Sequence, residues 1–415
     1  MHEDMRMTPR VHPLRADRQL LLPVLALTAL GLVMVYSSSF VLATDRFGDG
    51  AHYLRRQLVW AGVGLVVLGA AALVPLARLA RLARPALLAA AVLLALTFVP
   101  GVAHRVGGTS RWVAVLGFTA QPAEFAKVAL ILWLAASLAR PGAAVQRWRG
   151  LLPRLAVVAA LVLLVLAQPD FGTAILVALI AGGMLFVAGA RLTHLASLGL
   201  AALPPLYVLV MRVPYRRARI LAFLDPWSQA TGHGWQVVQS FIAFGSGGLF
   251  GRGLGEGQQK LLFLPEPHTD FVAAAVGEEL GLVGFSIMVA LYVVVVIRGF
   301  AIARRVPDPF AGLLAAGATL LIGLQAAINL AVVLGCLPTK GLPLPFVSYG
   351  GSALVTALAA AGLLLNVSAA ARAPHRPRPA AVAGTAAARA GSPLHGLNVG
   401  LCDWRSRPSV RGRHA

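Results

Sequence analysis

Few ionisable residues interrupt an otherwise apolar sequence, and their types suit proton transfer beside a cluster of cations. Asp270 follows Pro265-Glu266-Pro267-His268-Thr269 and opens a long apolar run. A carboxylate at a water–membrane boundary is well placed to take a proton from a hydroxyl. The same spacing equally suits a helix-terminal acid favoured by the helix dipole, with Thr269 or Asp270 as the cap. Glu124 and Lys127 stand three residues apart on one helical face, as an internal ion pair that can also line a cavity. Glu278 and Glu279 lie about two turns beyond Asp270, and one of them is expected to face the interior, because an acid against lipid is penalised. Asp170, just after Gln168-Pro169, is a weaker candidate of the same kind.

Arg111, Arg216, Arg217, Arg219, Arg252, Lys260 and Lys340 fall near the same predicted face. They fit solvated loop charges, or, gathered over an acidic lipid, a group that stabilises a pyrophosphate leaving group. The Gly-rich stretch Gly245-Ser246-Gly247-Gly248 with Gly251-Arg252-Gly253 lacks the Gly-Lys-Ser/Thr of a nucleotide phosphate loop. It suits a hinge or re-entrant turn, or backbone amides that meet a pyrophosphate. Only Cys336 and Cys402 are present, without metal-ligand spacing, and the topology below sets them on opposite sides of the membrane.

The elements that carry these residues are membrane helices. Apolar residues make up 58% of the 415 and charged residues 12%, about half the usual charged share. The apolar residues come in runs long enough to cross a ~30 Å hydrocarbon core: 19–42, 57–75, 85–100, 123–139, 151–168, 171–189, 193–211, 270–297, 309–335 and 346–371. The fold class expected is therefore an all-α integral membrane protein of about ten transmembrane helices. The break between the fifth and sixth rests on Pro169 and Asp170. The first run is too long for a signal-peptide core and is expected to stay as an anchor.

Lys and Arg number 36 against 15 Asp and Glu, a net charge of +21. With the N-terminus inside, the short inner segments carry about 15 Lys and Arg and the short outer loops about six, which sets an N-in, C-in topology. The basic excess thus reads as topology and headgroup contact; no basic patch interleaved with aromatics points to nucleic acid. Residues 1–18 are an expected cytoplasmic segment, 19–371 the membrane domain and 372–415 a disordered, Arg-rich cytoplasmic tail. Residues 212–269 form one large extracytoplasmic loop, expected to be functional.

At the motif level the chain resembles the SEDS family (shape, elongation, division and sporulation), and its FtsW branch most. The stretches that carry the resemblance are QPAEFAK at 121–127, QPDFGTA at 168–174, PYRRARILAFLDPW at 214–227, GWQVVQS at 234–240, GSGGLFGRGLGEG at 245–257, LPEPHTDF at 264–271, GEELG at 277–281 and PTKGLPLPFVSYGGS at 338–352. Ala123 stands where the family often has serine, and GGTSRW at 107–112 departs from the usual run before the fourth helix. The resemblance implies a lipid II polymerase in the plasma membrane with an extracytoplasmic active site. It implies a class B penicillin-binding protein as transpeptidase partner, alongside other division proteins. Asp270 takes the position of the catalytic aspartate; Glu124, Lys127, Arg216, Arg219, His268, Glu279, Lys340 and Ser348 are the expected cavity residues. The resemblance leaves room for a divalent cation, Mg or Mn, with no metal ligands assigned. A lipid II transporter, a partner-binding scaffold and an elongation-type (RodA-like) polymerase stay open as alternatives, with PTKGLPLPFVSYGGS favouring division.

Overall fold

The structure is a computed structural model that describes residues 17–99, 103–106, 109–115, 118–232, 234–258 and 268–372. The chain begins with three long helices, α1 (Arg18–Phe47), α2 (His52–Leu73) and α3 (Leu76–Leu96). A small antiparallel sheet follows, built from β1 (Ala103–Val106), β2 (Thr109–Val115) and β3 (Phe118–Ala120) in that order. Then come α4 (Pro122–Leu138), α5 (Trp148–Ala167), α6 (Phe171–Val187) and α7 (Leu192–Met211). Two shorter helices, α8 (Pro214–Leu224) and α9 (Trp235–Gly247), occupy the expected large loop. The described chain closes with α10 (Val272–Glu279), α11 (Gly281–Arg305), α12 (Pro309–Val333) and α13 (Gly351–Arg372).

Eight of these, α1, α2, α3, α5, α7, α11, α12 and α13, are long and apolar enough to cross a membrane. α4 and α6 have 17 residues each and at ~1.5 Å per residue still reach about 25 Å. Together they account for the ten apolar runs. Aspartates start three of them: Asp17, Asp170 and Asp308 each accept a bond from a backbone N–H in the first turn of α1, α6 and α12.

α12 and α13 form the core, with α12 packed on α4, α6, α11 and α13, and α13 on α2. Ala311, Ala315, Ala316 and Ala318 of α12 are fully buried, and such small residues let helices approach closely where no aqueous hydrophobic effect drives them together. α7 is the opposite case, with no buried residue. On one face, the buried carboxylate of Asp17 lies 2.6 Å from Arg298 and 3.1 Å from Arg372, joining the ends of α1, α11 and α13. On the other face, Gln57 of α2 donates to Ser348 O at 3.2 Å and accepts from Gly350 N at 3.3 Å. The loop between α12 and α13 is thereby fixed. α1 packs so tightly on it that a Cβ on Gly31 would stand 2.5 Å from Phe346 O.

Three local features depart from expectation. α3 starts at Leu76, ahead of the expected 85, because Arg78, Arg81 and Arg84 can extend their charges out to water while the stems stay on the helix. The run expected as one helix over 270–297 is broken: Leu280 ends α10 and Gly281, at φ +67, starts α11. Only glycine adopts that backbone readily, and the 248–251 turn packs directly against it. The sheet before α4 was not expected at all. Cys336 is a free, exposed thiol, whereas Cys402, the N-terminal segment, His233, Lys260 and the basic tail lie outside the described residues.

Candidate active site

The loop of residues 334–350 is the platform of the site. Its apolar residues Leu342, Leu344, Phe346 and Val347 are buried, and the Ser348 hydroxyl accepts from Leu344 N at 2.8 Å, closing a turn. Tyr292 of α11 donates its hydroxyl proton to Pro345 O. Two amides one turn apart on α12 hold the rest. Gln325 donates to Pro343 O at 2.8 Å, and Asn329 donates to Leu342 O at 2.7 Å and to Asp270 O at 2.8 Å. Asn329 therefore ties the backbone of Asp270 to the platform.

Asp270 lies in a turn, 268–270, ahead of α10. The N-cap of α10 is Phe271 and no side chain caps it, so the helix-cap reading of Asp270 does not hold in this structure. Its carboxylate turns instead toward the platform: a Cβ on Gly341 would lie 3.2 Å from Asp270 Oδ2. A side chain at 341 would crowd that oxygen.

Gly341 also lines a cavity of about 310 Å³, whose walls carry Arg111, Asp170, Phe171, Arg216, Arg219 and Lys340. Each cation is aimed by a specific contact. Arg111 donates to Gln168 O and Pro169 O at 3.0 and 2.6 Å. Arg219 donates to Thr339 O at 3.1 Å and Arg216 to Leu209 O at 3.0 Å. Arg216 and Lys340 stand over the Phe171 ring at 5.3 and 5.2 Å from its centroid, an arrangement in which the ring face attracts cations. Burial lowers the Lys340 pKa; an anion in the cavity would hold its proton on. Asp170 is occupied: its oxygens accept from Thr173 N, Thr173 Oγ1 and Gln121 Nε2 at 3.1, 2.9 and 3.0 Å. The cavity thus gathers Arg111, Arg216, Arg219 and Lys340 around the hydrogen-bonded Asp170, and the Asp270 carboxylate stands beside its Gly341 edge.

Glu124 and Lys127 form a buried ion pair of 2.8 Å on α4. Lys127 also donates to Gln325 Oε1 at 2.8 Å, so the pair supports the platform through Gln325 and does not line the cavity. His268 is buried between Tyr53 and Tyr349, with ring centroids 4.6 and 5.4 Å away. Burial, and then the charge of Arg46, push its pKa down to about 4, so it is neutral at pH 7, and it lies outside the cavity lining. Ser348 belongs to the platform turn. Glu279 is apart from the cavity: it accepts from Ser37 Oγ at 2.7 and 2.6 Å and from Gly255 N at 3.1 Å. Glu278 accepts from Gln258 N at 2.8 Å. Both acids are buried and latch the Gly-rich turn onto α10 and α1. Arg217 is exposed and outside the cavity lining, and Arg252 donates to Ser246 O at 3.3 Å. Gln325, Asn329 and Phe171 were not foreseen as site residues. Two amides spaced Gln-x-x-x-Asn within an apolar run carry the signal that could have found the first two.

Among known proteins, the family model described as cell cycle protein, FtsW/RodA/SpoVE, matches residues 18–373. A Geobacter sulfurreducens protein named probable peptidoglycan glycosyltransferase FtsW is 46% identical over 355 residues, 85% of this chain and 95% of its own. The Bacillus subtilis stage V sporulation protein E is 40% identical over 353 residues, 85% of this chain and 96% of its own. A chain of a solved peptidoglycan synthase complex, described as coordinating polymerization and crosslinking, superimposes with a TM-score of 0.71 at 32% identity, covering 87% of this chain and 99% of that one. Thermus thermophilus RodA, a rod shape determining protein, gives 0.64 at 32% identity over 86% and 97%. A family model spanning nearly the whole described chain, relatives of 40% and 46% identity and two matching folds converge: the chain belongs to the FtsW/RodA/SpoVE family.

Proposed function

We propose that this chain, a peptidoglycan glycosyltransferase of the FtsW type, polymerises lipid II on the outer face of the plasma membrane with Asp270 as general base. The observation that carries the reading is the juxtaposition at Gly341, which stands beside the Asp270 carboxylate and lines the cavity that carries Arg111, Arg216, Arg219 and Lys340. A sugar hydroxyl and a departing pyrophosphate need those two halves.

In the reaction, Asp270 takes the proton of the 4-hydroxyl of one lipid-linked disaccharide. That oxygen bonds to the anomeric carbon of a second lipid-linked chain, and the bond from that carbon to pyrophosphate breaks in the same displacement. The polyprenyl pyrophosphate leaves with the electron pair, its charge met by the guanidiniums and Lys340. One displacement turns an α-linked donor into a β-linked product. Among the described residues no three acidic, His or Cys side chains converge as a metal cage. No step of the reaction is routed through a metal ion. A class B penicillin-binding protein is the partner this reading expects; the solved complex described as joining polymerization to crosslinking supports it.

The test is polymerisation of purified lipid II by the full-length protein with its cognate transpeptidase. Asp270→Asn is expected to lower the rate by about 10²–10⁴-fold while the melting temperature stays within a few degrees. Near-normal glycan chains from Asp270→Asn would remove Asp270 from the reaction. Transfer of labelled lipid II across liposomes by both proteins, with chains from neither, would replace the enzyme by a transporter.

A further inference from the structure

At the membrane face opposite the Asp270 cavity, α3 and the end of α4 enclose a polar pocket of about 310 Å³. Its walls carry Arg81, Arg84 and Arg140, with Trp133 and Ser137 beside them. Ser137 is thirteen residues along α4 from Glu124, so the pocket lies about 20 Å from the platform. It is a separate site. It lies toward the end of the protein where the Asp17 cluster sits, which the topology assigns to the cytoplasm.

No acid lines this pocket, and among the described residues none of the three arginines is in an ion pair. Arg81 reaches only Ala77 O of its own helix, at 3.4 Å. The contrast with the same face is direct: there the buried carboxylate of Asp17 pairs with both Arg298 and Arg372. Around the α3–α4 pocket no described residue supplies a counter-charge. Three guanidiniums around one concave space repel unless an anion joins them, and their planar forks match phosphate oxygens in pairs.

We propose that this pocket binds the phosphate headgroup of an anionic glycerophospholipid of the inner leaflet. The argument for a lipid over free phosphate is the apolar surface beside it. Leu82, Leu88 and Val92 of α3 are 47%, 67% and 58% exposed, a strip along which acyl chains lie. Trp133, half-buried at the pocket wall, is the residue type that settles at headgroup depth. Basic pockets between transmembrane helices on this side are suited to anionic headgroups.

The experiment uses the delipidated full-length protein in detergent, with bound molecules counted by native mass spectrometry. It is titrated separately with phosphatidylglycerol, phosphatidylcholine and inorganic phosphate. Phosphatidylglycerol is expected to bind about tenfold tighter than phosphatidylcholine, or more. The triple variant Arg81→Gln, Arg84→Gln, Arg140→Gln abolishes the difference. Arg78→Gln, on α3 but outside the pocket, keeps it. A preference retained by the triple variant, or lost equally in Arg78→Gln, means diffuse surface charge and overturns the site. Inorganic phosphate that displaces the lipid at equal concentration assigns the pocket to a free anion and overturns the lipid. If the triple variant does not fold, each single variant is expected to lose a few-fold of the preference, and no loss in any of the three overturns the proposal.

Discussion

Lys127 is one of the largest fully buried side chains in the protein, and its charge is met by Glu124 and shared with Gln325. Removing one partner strands the other charge in a low-dielectric core, a loss of about 3–5 kcal/mol. Glu124→Gln and Lys127→Met are each expected to lower the melting temperature strongly, and the double variant to recover much of it. A double variant as unstable as the sum of the singles would show that the two charges do not support each other. His268 makes a second prediction at this scale. Its pKa falls from 6.5 in a model peptide to about 4 in the fold. Between those values the unfolded chain binds the proton and the folded one does not, so this contribution is present above pH 6.5 and is lost as pH falls toward 4. Melting temperatures of wild type are expected to drop between pH 7 and 4.5 more steeply than those of His268→Phe. Parallel curves for the two would mean that His268 titrates normally.

At the scale of elements, the platform between α12 and α13 is positioned mainly by α12. Asn329→Leu frees the carbonyls of Leu342 and Asp270 at once, and the Asp270 backbone loses its tie to the cavity edge. Its polymerisation rate is expected to fall at least tenfold with lipid II affinity nearly kept; equal losses in binding and rate would point to general unfolding of the site. What was legible in the sequence divides along the same lines. The ten crossings were visible because lipid demands about 20 consecutive apolar residues, a constraint that leaves its mark in composition alone. The break at Leu280 and Gly281 was not, since an apolar run with a glycine in it has the same composition broken or whole. The sheet over 103–120 was hidden by short strands whose partners are only each other. Gln325 and Asn329 were absorbed into the apolar run 309–335 because span detection averages over a window. Asp270 and the cations of the cavity were conspicuous in the sequence because charges next to lipid are expensive and seldom idle; Glu279, equally conspicuous as a charge, latches the Gly-rich turn.

Over the whole molecule, charge and burial are distributed unevenly. Polar side chains converge at the cavity end and around the platform, while the opposite end is stitched by the Asp17 cluster and studded with arginines. Between them, the first half of α12 contributes the buried alanines Ala311, Ala315, Ala316 and Ala318. Burial is just as unequal among the helices, from α13, most of whose residues are enclosed, to α7, which encloses none. Beyond its contacts with α6 and α8, α7 is left to the surrounding hydrocarbon, and hydrocarbon does not distinguish leucine from isoleucine, valine or phenylalanine by shape. Along lineages the letters of α7 are therefore free to drift within an apolar alphabet, while α13, fitted residue by residue against α2 and α12, must keep its spelling.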